Sequence, residues 1–136
     1  IIGSDFSSKM VARARQGYYS SLEIDRGLPT RLRQKYFQRQ GHNWQICEEI
    51  RQMVEIRQMN LIDSWTSLPR LDIIFLRNVL IYFEIETKRS ILSKVQQQLR
   101  ADGYLFLGSS ETIIHLDPLF ESVKENNSLY HRLRAE

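Results

Sequence analysis

The chain has 136 residues, 42% of them hydrophobic and 26% charged, with a formal net charge of +3. These values are ordinary for one globular domain and exclude a chain that is disordered throughout. Lys and Arg are spread along the sequence, whereas a nucleic-acid binder usually gathers them on one stripe, so nucleic acid is not predicted as a partner. The densest basic stretch, residues 31–39, is predicted to be the solvated face of a helix.

The cysteine and histidine content predicts no disulfide and no metal site. Cys47 is the only cysteine, and His42, His115 and His131 lack the spacing of metal ligands. No apolar run approaches the roughly 20 residues that cross a bilayer, and no secretory signal opens the chain. We therefore expect a cytoplasmic protein without direct membrane insertion. The missing initiator Met favours an excised fragment.

In the first half of the chain, capping residues and hydrophobic periodicity predict alternating strands and helices. Gly17 supplies a helix stop, and Pro29 suits the first turn of the next helix. The predicted elements are a strand at residues 1–5, a helix ending at 17, a loop at 18–27, a helix from 29 to about 40, and strands at 44–47 and 53–59.

From Leu71 onwards the pattern is typical of a parallel sheet. The apolar run at residues 73–76 indicates a strand covered on both faces. A helix from about 86 to 100 follows, then a strand at 104–107, and the last two apolar runs, 119–124 and 129–133, predict an antiparallel hairpin. Strands that alternate with helices define an α/β fold.

Polar residues follow four of these strands, at the edge where an open parallel sheet binds ligands. They are Asp5, Asn60-Leu61, Arg77-Asn78 and the stretch 108–111. A carboxylate can accept both ribose hydroxyls, an amide matches an adenine edge, and an arginine fork fits a carboxylate. Alone, these features indicate a nucleotide-type binder. A helix cap at Asp5, a turn at Asn60 and a core position for Tyr82 remain open as simpler interpretations.

The segment LDIIFLRNVLIYF, residues 71–83, closely resembles the signature of CheR-type methyltransferases, in which Asp and an apolar strand precede Arg-Asn-Val-x-Ile-Tyr-Phe. The flanking stretches agree in order and spacing: ARQGY at 14–18, Val54 to Leu61, and DGYLFLG at 102–108 followed by Ser110-Glu111. The resemblance covers nearly the whole chain and identifies it as the C-terminal part of the family's catalytic domain.

This resemblance implies a Rossmann-like methyltransferase sheet with a C-terminal antiparallel hairpin. It implies methyl transfer from S-adenosylmethionine to glutamate carboxylates in the cytoplasmic region of chemoreceptors, with S-adenosylhomocysteine as product. The implied roles are ribose binding for Asp5, adenine contact for Asn60 and Leu61, pocket lining for Arg77 and Asn78, and a place near the transferred methyl for Tyr82. A small β-subdomain is implied at about 36–57, which in some members docks a receptor tail peptide by strand addition.

Two departures from the family pattern modify these expectations. The glycine-rich cofactor loop, the central strand before it and the N-terminal helical domain are absent, and Ser109 stands where the family has histidine. The missing strand would lie between those at 1–5 and 73–76, so we expect exposed edges that rearrange, pair directly or associate with another copy. We also expect weak or no cofactor binding by the chain alone. A non-catalytic interaction module of the same fold is the alternative.

Overall fold

The structure, a computed structural model, describes residues 1–113 and 116–134. It confirms an α/β fold with both parallel and antiparallel strands. The chain divides into two compact units, Ile1–Asn60 and Leu61–Glu136. Within the described residues, no helix combines the length and the apolar character needed to cross a membrane.

Unit 1 contains two small sheets and four helices. Strands β1 and β5 pair in parallel, and β2, β4 and β3 form an antiparallel sheet in that order. The elements are β1 (Ile2–Asp5), α1 (Ser8–Gln16), β2 (Tyr18–Ser20), α2 (Ser21–Asp25), α3 (Thr30–Tyr36), β3 (Phe37–Gln40), β4 (Asn43–Ile46), α4 (Glu48–Gln52) and β5 (Glu55–Gln58).

Helix α1 has the boundaries that its capping residues predict. The Ser7 hydroxyl accepts a hydrogen bond from the Met10 N–H at 3.4 Å, and Gly17 ends the helix in the left-handed conformation at φ 68°. Val11 is buried on the inner face. The strand and helix predicted at the start of the chain are therefore confirmed.

Two predictions in this unit are wrong. The loop expected at 18–27 contains β2 and α2, and α2 begins with a capping box between Ser20 and Glu23. The helix expected to reach residue 40 ends at Tyr36, because residues 37–40 pair with β4 as strand β3. Pairing with β4 accounts for the strands β2 and β3, whereas α2 begins at a local capping signal that the prediction missed. The small β-subdomain at about 36–57 stays a prediction, since the antiparallel sheet draws its strands from residues 18–46.

The outer edge of β5 is covered by a side chain from α1. Arg15 donates from Nε and Nη2 to the carbonyl of Ile56 at 3.1 and 2.7 Å. This carbonyl would otherwise present an open acceptor to another strand. Arg15 therefore occupies a hydrogen-bond acceptor on the edge of β5 that does not pair with β1, and so hinders another strand from adding there.

Unit 2 is one mixed sheet with a long helix. Strands β6 and β7 are parallel, whereas β9 pairs in the antiparallel sense with both β7 and β8, in the order β6-β7-β9-β8. The predicted hairpin is confirmed, and Asn126 and Asn127 form its turn at φ 46° and 63°. The elements are β6 (Leu71–Leu76), a single 3₁₀ turn (Leu80–Tyr82), α5 (Ile85–Gln98), β7 (Leu99–Leu107), β8 (Phe120–Glu125) and β9 (Ser128–Leu133).

The core of unit 2 is formed by α5 and one face of the sheet. As predicted, the apolar face of the helix region is fully buried, at Ile91, Leu92, Val95 and Leu99. Strand β6 differs from its prediction, because Ile74 and Leu76 are buried while Ile73 and Phe75 are 51% and 69% exposed. Successive side chains of a strand point to opposite faces. The apolar run therefore supplies one core face and one exposed face.

His131 is a buried titratable residue in the hairpin sheet. It is 2% exposed, and its Nδ1 lies 2.9 Å from the Ser122 hydroxyl oxygen. Burial lowers the pKa of His131 because it disfavours the imidazolium.

We expect the chain to lose stability as the pH falls below about 6.5, the ordinary pKa of histidine. The unfolded chain binds a proton there that the folded imidazole does not, so stability is present above this pH and declines below it. Thermal unfolding between about pH 7.5 and 5.5 measures the slope. His131→Gln should flatten it, whereas His42→Gln, at an exposed turn, should not. An unchanged slope in His131→Gln would contradict this assignment.

Candidate functional site

In unit 1, the ends of β1 and β5 bring two of the predicted site residues to one sheet edge. Asp5 and Gln58 are paired in register, and the Met59 N–H donates to the Asp5 carbonyl at 3.0 Å. Asn60 follows directly and is half-buried. Asp5 and Asn60 therefore lie at the carboxyl edge of this parallel pair, where open sheets bind ligands.

The Asp5 carboxylate has a local structural role and remains accessible. Its Oδ1 accepts a hydrogen bond from the Ser7 N–H at 2.7 Å, which fixes the turn into α1. The residue is exposed, and it lines a cavity of about 330 Å³ together with Ser4 and Met10. Asp5 is therefore not the cap of α1, which is Ser7, but it fixes the turn before the helix, and its second carboxylate oxygen can still accept hydrogen bonds.

Leu61 begins unit 2, and its backbone is fixed by the side chains of α5 and the following loop. The Leu61 carbonyl accepts from Lys94 Nζ at 2.9 Å and from the indole N–H of Trp65 at 3.2 Å. Lys94 Nζ also donates to the Ile62 carbonyl at 2.7 Å. The sequence did not identify Lys94. A lysine on an amphipathic helix is ordinarily expected to face solvent, and nothing in the sequence indicates that it binds backbone carbonyls.

The remaining predicted site residues lie together after β6. Leu76 and Leu107 are parallel partners, so β6 and β7 end side by side. Arg77 and Asn78 are exposed, and Tyr82 in the 3₁₀ turn is 80% exposed. The interpretation of Tyr82 as a core residue is therefore wrong. All three side chains are accessible to a ligand at this edge.

A buried carboxylate that sequence reasoning did not single out organises this edge. Glu111 is 7% exposed. Its Oε2 accepts from the N–H groups of Asn78 and Gly108, both at 2.7 Å, and its Oε1 accepts from those of Val79 and Ile81 at 2.9 and 3.3 Å. Glu111 thus joins the segment after β6 to the segment after β7.

The electrostatics of Glu111 favour its ionised form. Burial raises the pKa of its carboxyl, but the backbone donors of Gly108, Asn78, Val79 and Ile81 outweigh this effect, and the net pKa is lowered. Four N–H groups aimed at one carboxylate replace the water that it loses on burial. The Glu111 carboxyl is therefore ionised near neutral pH.

Gly108 allows Glu111 and Asn78 to approach each other. A Cβ at Gly108 would lie 2.2 Å from Asn78 Oδ1, 2.7 Å from Glu111 Oε2 and 2.9 Å from the Asn78 backbone nitrogen. The Glu111 N–H also donates to the Gly108 carbonyl at 3.0 Å, which closes a tight turn. Ser109, at the position of the family histidine, is exposed in this turn. The glycine followed three residues later by an acid was the sequence signal for this arrangement.

Across residues 1–113 and 116–134, no three His, Cys, Asp or Glu side chains are grouped so as to hold a metal ion.

Comparison with known proteins identifies the family of the chain. Residues 1–129 match the family described as CheR methyltransferase, SAM binding domain. The chain belongs to this family of methyltransferase enzymes, and the resemblance of residues 71–83 to its signature is confirmed.

Similar proteins carry chemotaxis names. The chain is 39% identical to chemotaxis protein methyltransferase 1 of Pseudomonas aeruginosa over 98% of its own length and 49% of that relative. It is 42% identical to chemotaxis protein methyltransferase Cher2 of Pseudomonas putida over 91% of its length and 46% of that relative. A chemotaxis protein methyltransferase of Vibrio parahaemolyticus is 36% identical over 98% and 49% of the two lengths. The chain spans about half the length of these curated relatives.

We expect Gly108→Ala to destabilise unit 2 by about 1–3 kcal/mol, because the new methyl group displaces Asn78 and Glu111. Gly27→Ala is the matched control, since a Cβ there meets no atom within 4 Å. Urea unfolding of both variants measures the difference. Equal stability of the two variants would show that Gly108 is not closely packed.

Proposed function

We propose that this chain, in the protein of full natural length, takes part in methyl transfer from S-adenosylmethionine to glutamate carboxylates of chemoreceptors. The observation that carries the proposal is the accessible group of Arg77, Asn78 and Tyr82, organised around Glu111 in a member of a SAM-binding methyltransferase family. The chemotaxis names of the relatives support the receptor as substrate. A substrate in the receptor's cytoplasmic region implies a cytoplasmic enzyme.

The residues at the strand ends fit the chemistry of the cofactor. The exposed Asp5 carboxylate is proposed to accept the ribose hydroxyls. Asn60 offers the donor and acceptor of an adenine edge, and the Leu61 side chain, on a backbone held by Lys94, offers an apolar surface to the ring. Asn78, after the end of β6 in unit 2, is proposed as a further cofactor-binding residue. We also propose that the family's glycine-rich loop and the strand before it lie outside these 136 residues.

The reaction does not require the protein to remove a proton from the substrate. S-adenosylmethionine, when bound, supplies a methyl group on a positively charged sulfur, and the product is S-adenosylhomocysteine. A glutamate side chain is ionised near neutral pH and needs no general base. Arg77 is proposed to orient the substrate carboxylate with its guanidinium fork, and Tyr82 to position the reacting groups. Rate enhancement then comes mainly from alignment and the exclusion of water.

Unit 1 has features that suit an acidic receptor segment. Residues 26–47 include Arg and Lys but no Asp or Glu. Arg33 pairs with Asp25 at 2.6 Å and lies over the Trp44 ring at 5.1 Å, while Arg31 and Lys35 on the same helix are exposed. Strands β2 and β3 are the outer strands of their sheet, and an extended peptide could add to either. We propose that the predicted β-subdomain at about 36–57, which includes β3 and β4, is the receptor-docking part.

Methyl-group transfer to a receptor cytoplasmic region tests the proposed function. With radiolabelled S-adenosylmethionine, the full-length protein should label the receptor in a form that mild alkali releases as methanol, as expected of a glutamyl methyl ester. Alkali-stable label would contradict a glutamate ester. Cofactor and receptor binding without any transfer would favour the non-catalytic interaction module.

The accompanying variant is Asp5→Asn, which keeps an acceptor for the Ser7 N–H but removes the charge. Its dissociation constant for S-adenosylhomocysteine, measured by calorimetry, should rise about tenfold or more because a hydrogen bond to a charged group is lost. Asp102→Asn, whose side chain is 85% exposed, is the matched control. Equal affinities in the two variants would exclude Asp5 from the cofactor site.

A further inference from the structure

The contacts of Glu111 are all directed at the backbone of the segment that carries the candidate catalytic side chains. Three of its four donors belong to residues 78–81, and the fourth is the Gly108 N–H. Each carboxylate oxygen accepts two hydrogen bonds. The carboxylate of Glu111 is thus engaged within the protein, and its 7% exposure leaves little of it to a ligand.

Glu111 bonds to a segment whose backbone conformation is uncommon for residues other than glycine. Asn78 has a φ of 56°, in the left-handed region that costs a residue other than glycine about 1 kcal/mol or more. Directly before it stands Arg77, and the 3₁₀ turn with Tyr82 follows within four residues. The directions in which these two exposed side chains leave the backbone therefore depend on the bonds to Glu111.

We infer that Glu111 is a positioning residue for methyl transfer: its ionised carboxylate holds residues 77–82 in the arrangement in which Arg77, Asn78 and Tyr82 meet cofactor and substrate. This inference rests on the proposed function. Glu111 does not touch the reacting atoms and acts through the backbone. Its charge is required as well as its volume, since four donors converge on its two oxygens.

An isosteric substitution separates charge from volume. In Glu111→Gln, one oxygen becomes an NH₂ group, and either orientation of the amide points it at two backbone N–H groups. The segment must then shift or leave donors unpaired. Because misplacement of reacting groups by about 1 Å can reduce a rate by two orders of magnitude, we expect kcat to fall at least about tenfold.

The experiment compares the full-length protein with Glu111→Gln, Glu111→Ala and the control Glu86→Gln, whose side chain on α5 is 83% exposed. Folding is checked by circular dichroism well below the melting temperature, and kcat and KM for the receptor substrate are measured separately. Glu111→Gln should lower kcat more than it changes KM, and Glu86→Gln should retain wild-type values. Acetate, which supplies the missing carboxylate, should restore kcat in Glu111→Ala, whereas chloride at equal ionic strength should not.

The outcomes separate this inference from the proposed function. A wild-type protein that transfers no methyl group overturns the proposed function, and the inference falls with it. An active wild type with an equally active Glu111→Gln overturns the inference alone. If Glu111→Gln does not fold, Glu111→Ala decides: recovery with acetate supports positioning, and a folded variant that acetate fails to restore overturns it.

Discussion

The candidate site of unit 2 depends on one buried charge, the Glu111 carboxylate, and its four backbone donors. Gly108 permits the approach, and the left-handed Asn78 turns its N–H toward the same oxygens. Removing the carboxylate would leave several N–H groups without their partner, at about 1–3 kcal/mol for each one that stays buried. The backbone conformations of the segment after β6 and the segment after β7 therefore depend on the same carboxylate.

Ionised side chains satisfy backbone groups at other strand ends and edges as well. Lys94 binds the carbonyls of Leu61 and Ile62, and Arg15 binds the carbonyl of Ile56 on the outer edge of β5. These charges stabilise backbone that sheet pairing does not reach. Other polar side chains at the strand ends, such as Arg77, stay exposed and can meet a ligand. Some charged residues thus fix the backbone, while others remain exposed to solvent.

Sequence patterns predicted the elements whose signals are local. Gly17 ended α1 as expected, and the two asparagines of the hairpin turn lay where the spacing of apolar runs placed a turn. The strand at 37–40 was missed because its conformation comes from pairing with β4 rather than from its own residues. The prediction that Arg77 and Asn78 directly follow a parallel strand is confirmed, since β6 ends at Leu76. Glu111 was not assigned a role. Its spacing from Gly108 is visible in the sequence, but its other three donors are backbone amides 30 to 33 residues away, which no sequence pattern reports.

The most direct test of this account is an NMR pH titration of the 136-residue chain that follows its backbone amides. If one ionised carboxylate binds all four donors, the amides of Asn78, Val79, Ile81 and Gly108 will titrate together, with a midpoint below the ordinary glutamate value of 4.5. Glu111→Gln will abolish this shared titration. Four amides that titrate independently, or a shared midpoint at or above the ordinary value, would contradict the central role given to Glu111.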